Sequence, residues 1–417
     1  MSEQRLRELL GADITAAERE AEERGWAVVK AAYAERAAAP RPRSQRALVL
    51  ALAGAALLLA LLFSPAGAQV REWIGDVVQP GEENAARSLT ALPAPGRVLV
   101  TSEHGPWIVD EDGSKRALGP YDEAAWSPNG RFVAVSRNRE LVAVVADSAT
   151  VGEPVGDIRW SYGARAAVRD IAWSPSGVRV AFHSGSDLRL IRGDGIDPRV
   201  LAREVAPVRP AWRPLTAAER ATVDPATGIA TGAKNVLAYV GADQAVHLLD
   251  VDSGEELWRS ARLPDGVRAL TWSPDGHSLL VLGAGFYSLY RADGQLELKG
   301  AVPGAYAAAF SPMGEWVSVI GAEETANGAR SVVWLVDPDG AARNRRLYAG
   351  PGRFADPTWS PDGSTLLVPW PAADQWLFLD PAEPGKANAV TGISRKFDPG
   401  GRGPAVFPHV SGWCCTP

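Results

Sequence analysis

The sequence predicts an all-β fold of small antiparallel sheets set in a ring, on three observations. The first is a recurring phrase: AWSPNG at 125–130, AWSPSG at 172–177, TWSPDG at 271–276, FSPMG at 310–314 and TWSPDG at 358–363. The second is a set of Asp/Gly-type turns: DEDG (110–113), ADS (146–148), RGDG (192–195), DVDSG (250–254), RADG (291–294), DPDG (337–340) and DPAEPG (380–385). The third is a series of short apolar or alternating runs, among them RVLVTS, RFVAVS, VRVAFH, NVLAYV and TLLVPW, bounded by Gly, Pro and Asp as strands are. Self-similarity near 40 residues is the mark of a β-propeller, whose blades are four-stranded sheets.

In chain order, residues 1–46 read as a helical cytoplasmic segment. Thr15-Ala16-Ala17-Glu18 makes a capping box, and Trp26, Val29 and Tyr33 form an apolar stripe on the helix it opens. Leu6, Leu9 and Leu10 could pack on that stripe; the segment reads either as a solvated helix leading into the membrane or as a docking surface for a cytoplasmic protein. Residues 47–63 carry no charged or polar side chain, and with the small residues to 68 they reach the ~30 Å of a bilayer core. The span 47–68 is therefore expected to be a transmembrane helix. Arg41, Arg43 and Arg46 place its N-terminal side in the cytoplasm. Ala66-Gly67-Ala68 also suits a signal-peptide cleavage site, although a 46-residue lead-in is long for one. Residues 69–96 read as a juxtamembrane piece and a Gly/Pro-containing linker, and residues 97–417 as the propeller.

Within the propeller the expected structural anchors are Trp126, Trp173, Trp212, Trp272, Phe310 and Trp359, one per blade at the end of an inner strand. The Ser-Pro-Asp-Gly that follows suits a type I turn, with Pro presetting φ and Gly accepting a positive one. Seven Asp/Gly turns against six such anchors leave one blade without an anchor. Trp413 in SGWCC supplies it, completing a blade begun by RVLVTS near residue 97. Seven blades closed by the two chain ends are expected, with six as the alternative.

The WSPDG repeat resembles the WD40-like propeller repeat of the TolB family and of propellers that accompany prolyl oligopeptidase-type hydrolases. The resemblance covers residues 97–417 and implies blades of four strands, labelled A to D from the axis outward. It implies no particular ligand, and TolB's separate N-terminal domain has no counterpart here.

Composition narrows the function. A formal net charge of -6 over 417 residues disfavours nucleic acid, which demands a basic face. The two cysteines, Cys414 and Cys415, are adjacent, and the histidines at 104, 183, 247, 277 and 409 show no ligand spacing, so neither a metal site nor a cofactor is expected. The acidic turns recur at one hairpin position and are read as turn chemistry. In RWSYGA (159–164) Arg159 stands where a nucleophile elbow needs glycine, so Ser161 is not read as a nucleophile and no enzyme is expected.

The departures from the repeat are the candidate contact regions: the 213–235 insert, and lengthened loops at 156–168, 321–330 and 393–409. Trp160, Tyr162, Arg165 and Arg402 are the candidate contacts for a protein, glycan or small-molecule ligand. The leading expectation is a single-pass, membrane-anchored, extracytoplasmic propeller that binds or senses. An anti-sigma-like regulator acting through residues 1–46 is the second reading, and a propeller enzyme the third.

Overall fold

Side-chain alternation along short strands builds the fold, and a computed structural model describes it for residues 91–147, 157–302, 304–325, 328–338, 344–398 and 405–415. Seven four-stranded antiparallel sheets form, not six. The innermost strands are Glu123–Trp126, Val168–Trp173, Ala211–Trp212, Val267–Trp272, Ala305–Phe310, Thr358–Trp359 and His409–Cys414, which define blades 1 to 7. Blade 7 joins the two ends of the described chain. Its inner strand His409–Cys414 pairs with Arg97–Ser102, setting Val98 opposite Trp413 and Arg97 opposite Cys414. Each inner strand touches the next all the way round, so the ring is closed.

The cores lie between blades. Leu99, Ile108 and Leu118 of blade 7 pack on Ala124, Val133, Val135 and Val142 of blade 1, and similar clusters join most other neighbours. Each blade thus depends on the pair beside it, at roughly 25 cal/mol per Å² of apolar surface removed from water.

The anchors end the inner strands, where they lace the ring. The Trp212 indole N–H donates to the carbonyl of Ala172, Trp272 to Ala211 and Trp359 to Ala309, at 2.9, 3.2 and 3.2 Å. Every acceptor is the residue just before the preceding blade's own anchor. Trp173 instead bonds the carbonyl of Gly177 in its own turn, at 3.1 Å.

The serine of the repeat has a structural task. In blade 6 the buried Ser360 hydroxyl accepts from the Thr365 N–H at 3.0 Å and donates to Asp362 at 2.6 Å, while the Gly363 N–H closes the turn on the Ser360 carbonyl at 2.9 Å. Ser127, Ser174, Ser273 and Ser311 accept the equivalent N–H, five residues on. Gly363 has φ of 73°, a region where a side chain is strained.

The 213–235 insert lies in the A–B turn of blade 3 and straps other blades. Asn129 Nδ2 donates to the Thr227 carbonyl and Arg131 to that of Ala226, at 2.9 and 2.6 Å, in blade 1's turn. The Ala230 N–H reaches Ser176 of blade 2 at 3.1 Å, and Arg220 reaches Pro274 of blade 4 at 3.1 Å.

Two expectations need correction. Among the described residues no helix is long and apolar enough to cross a membrane. The described α-helices are Ala217–Arg220 and Ile393–Lys396, and the apolar residues alternate along strands instead of filling the ~20-residue helix a bilayer requires. The helical cytoplasmic segment at 1–46, the span 47–68 and most of the 69–96 linker lie outside the described residues. Single-pass anchoring, with a cytoplasmic N-terminus and an extracytoplasmic propeller, finds no support in the structure and is dropped. The second correction is local: much of 156–168 is not a loop, because Ile158–Gly163 is the outer strand of blade 1.

Candidate functional site

Inner strands of a propeller are flanked by blades on both sides, so a charged side chain on one of them has only the central channel to enter. Seven short phrases carry a polar residue three or four positions before the anchor: EAAW, DIAW, RPAW, RALTW, YAAAF, DPTW and HVSGW. They contribute Glu123, Asp170, Arg209, Arg268, Tyr306, Asp356 and His409. Each lies at or just before the start of its inner strand, hence towards the end of the channel fed by the D–A loops.

The inner strand of blade 2 bulges here, its register with Arg179–Ser184 shifting between Arg169 and Ala172. The bulge frees backbone groups, and neighbouring blades take them. Glu123 of blade 1 accepts the N–H groups of Asp170 and Ile171 at 2.8 and 2.9 Å, and Arg209 before blade 3 donates to the Ile171 carbonyl at 2.5 Å. Asp170 is held at φ of 55°, a conformation that costs about 1–3 kcal/mol for a non-glycine residue. Its carboxylate meets His183 Nδ1 at 2.9 Å.

These contacts set the protonation states. Burial pushes the Glu123 carboxyl up, against the two N–H donors and Arg209. The His183 hydrogen bond holds Asp170 below its ordinary value despite partial burial. Partial desolvation by its neighbours lowers the His409 imidazole, with Asp356 pulling it up and Arg209 pushing it further down.

Across the axis, a cavity of about 240 Å³ is lined by Arg209, Arg268, Tyr306 and Asp356, with Pro210 and Pro357 among its walls. Tyr306 is fixed: its hydroxyl lies 2.8 Å from Ser331 Oγ and 3.2 Å from the Phe354 carbonyl, and the Arg353 guanidinium stacks 3.7 Å from its ring centroid. Arg268 and Asp356 are exposed to the channel and make no hydrogen bond or ion pair with any described residue.

The opposite end differs in chemistry. A cavity of about 370 Å³ is lined by Trp126, Trp173, Trp212, Trp413, Pro175 and Cys414, the last bonded to Cys415. Arg209 lines both cavities. The channel is therefore aromatic where the inner strands end and charged where they begin.

The contacts expected from sequence fall elsewhere. The Trp160 indole donates to the Gly193 carbonyl at 2.9 Å, and a Cβ on Gly195 would approach its ring to 2.6 Å, so Trp160 packs blade 1 against blade 2's C–D turn. Tyr162 makes an edge contact with Phe182 and receives Arg189 at 3.3 Å. Arg165 is exposed beyond that strand, and Arg402 lies outside the described residues. Trp160, Tyr162 and Arg165 line neither cavity.

No known protein family and no curated protein matches the chain. Among solved structures, hydrazine synthase from Kuenenia stuttgartiensis is similar at 13% identity and a TM-score of 0.44, over 62% of this chain and 75% of that one. Likeness this loose carries no function across. The TolB-type resemblance is corrected accordingly: the WSPDG repeat records the turn and anchor chemistry of a seven-bladed propeller, not membership of that family.

Proposed function

We propose that the chain is a binding propeller that takes its ligand at the charged mouth of the central channel, where the D–A loops meet the inner strands. The observation that supports this reading is the free pair Arg268 and Asp356, unpartnered in a cavity whose other polar groups are held. Both side chains are open to solvent and converge with Arg209 and Tyr306 on one concave site, and polar groups converging in a cavity are the general mark of a ligand site. The opposite mouth is less suited, because the 213–235 strap already occupies the A–B turns of blades 1, 2 and 4. The channel mouth is read as recognising and holding its ligand, not transforming it.

Thermal-shift screening of the full chain against a panel of charged and neutral metabolites tests this. A hit whose stabilisation disappears in Arg268→Ala and Asp356→Ala, both with unchanged melting when ligand-free, supports it. Hits that survive both substitutions, or are lost only on changing the strap, place the site elsewhere.

A further inference from the structure

The charged cavity also specifies the kind of molecule it fits, an inference that rests on the binding reading above. Its volume of about 240 Å³ holds roughly eight waters' worth of space, taking each as ~30 Å³. It is smaller than the ~300–1,000 Å³ typical of drug-sized ligands, so its occupant is a small metabolite or the terminal group of a larger one.

The polar groups divide into two kinds. Arg209 and Arg268 present guanidinium N–H donors, and Arg209 spends one on the Ile171 carbonyl while Arg268 spends none within the described residues. Guanidinium forks match carboxylate and phosphate oxygens. Asp356 lines the same cavity yet forms no ion pair with either arginine. It also borders Tyr306 and His409, and neither hydrogen-bonds to it. A simple anion seated on the arginines would strip water from this carboxylate and leave it facing a like charge. A molecule with a donor at its far end avoids that penalty, because an acceptor desolvated without a partner is costly.

We propose that the channel mouth binds a small two-ended molecule, with a carboxylate or phosphate held by Arg209 and Arg268 and an amine or hydroxyl donated to Asp356. The inner-strand bulge at Asp170 and Ile171 acts as the support. Its Ile171 carbonyl fixes Arg209, and Glu123 fixes the bulge, so the arginine is positioned before the ligand arrives.

Saturation-transfer NMR on the full chain at millimolar probe concentration tests the inference. L-serine carries a carboxylate with an amine and a hydroxyl, D-glycerate a carboxylate with hydroxyls, and glycerol 3-phosphate a phosphate with hydroxyls. Propionate carries only the anion and ethanolamine lacks it. At least one two-ended probe is expected to bind while propionate and ethanolamine do not, and the pattern among the three separates carboxylate from phosphate and amine from hydroxyl. Arg268→Ala is expected to weaken that binding about tenfold or more. Asp356→Asn is expected to remove the advantage of the two-ended probe over propionate. Propionate binding as well as every two-ended probe overturns the inference, as does no binding by any of the three. If a thermal-shift hit of other chemistry still requires Arg268, the two-ended inference fails while the channel-mouth reading stands.

Discussion

Tryptophan 272 shows what one residue of the repeat contributes. It is buried between blades 3 and 4, and its indole N–H crosses to the Ala211 carbonyl. Trp272→Ala is expected to destabilise the chain by about 3–5 kcal/mol in denaturant unfolding, the range for a large buried aromatic. A change within about 0.5 kcal/mol, typical of a surface site, contradicts the anchor role. Ser360→Ala removes the acceptor of the Thr365 N–H and leaves that donor buried, so a loss of about 1–3 kcal/mol is expected by the same measurement. Tryptophan, proline and glycine were legible in sequence because burial and φ preference belong to the residue itself. The serine's reason was not, because its N–H partner lies five residues on and across the turn. The channel residues were present in sequence but not recognised: a polar residue three or four before each anchor reads as ordinary strand polarity until the strand is known to face an axis. Trp160, expected from sequence as a contact, sits between blades 1 and 2, a position that only the pairing of neighbouring blades reveals.

The 213–235 strap is an element whose presence was visible as an interruption of the repeat and whose path was not, because its partners come from three other blades. Inside it, Thr216 caps the helix Ala217–Arg220 in a reciprocal capping box with Glu219. Burial pushes the Glu219 carboxyl up, but the N–H groups of Thr216 and Lys234 and the Arg213 guanidinium outweigh it and hold it at about 2. A carboxyl with a lowered folded pKa contributes stability that is present above its unfolded value and lost as pH falls through the folded one. The chain is therefore expected to lose stability as pH drops from 4.5 towards 2, and Glu219→Gln to be less stable at neutral pH by a margin that closes over that window. Melting curves across the range check this, and a margin independent of pH contradicts it. The outer strand Ile158–Gly163 passed for a loop although Ile158, Trp160 and Tyr162 alternate with polar or small residues, because it falls where the repeat is lengthened and its buried face is only half covered.

At the scale of the whole molecule the ring is closed by a single strand from the far end of the chain. Removing residues 409–417 takes away the inner strand of blade 7, leaves one edge of Arg97–Ser102 unpaired and strips Val410 and Trp413 from the cluster shared with blade 6. Because each blade is held by its neighbours, this truncation is expected to lower the melting of the entire propeller, not to fray one blade. Circular dichroism melts of the truncated and full chains separate the two outcomes. The blade count and this closure followed from counting turns against anchors. The polar channel did not, since it exists only once seven inner strands stand round one axis. That channel is the centre of the functional proposal, and the most direct test is a crystal structure of the full chain with its best thermal-shift hit. Ligand density between Arg268 and Asp356 is the expected result; density in the aromatic cavity beside Trp126 and Trp413, or on the outer strands, contradicts it.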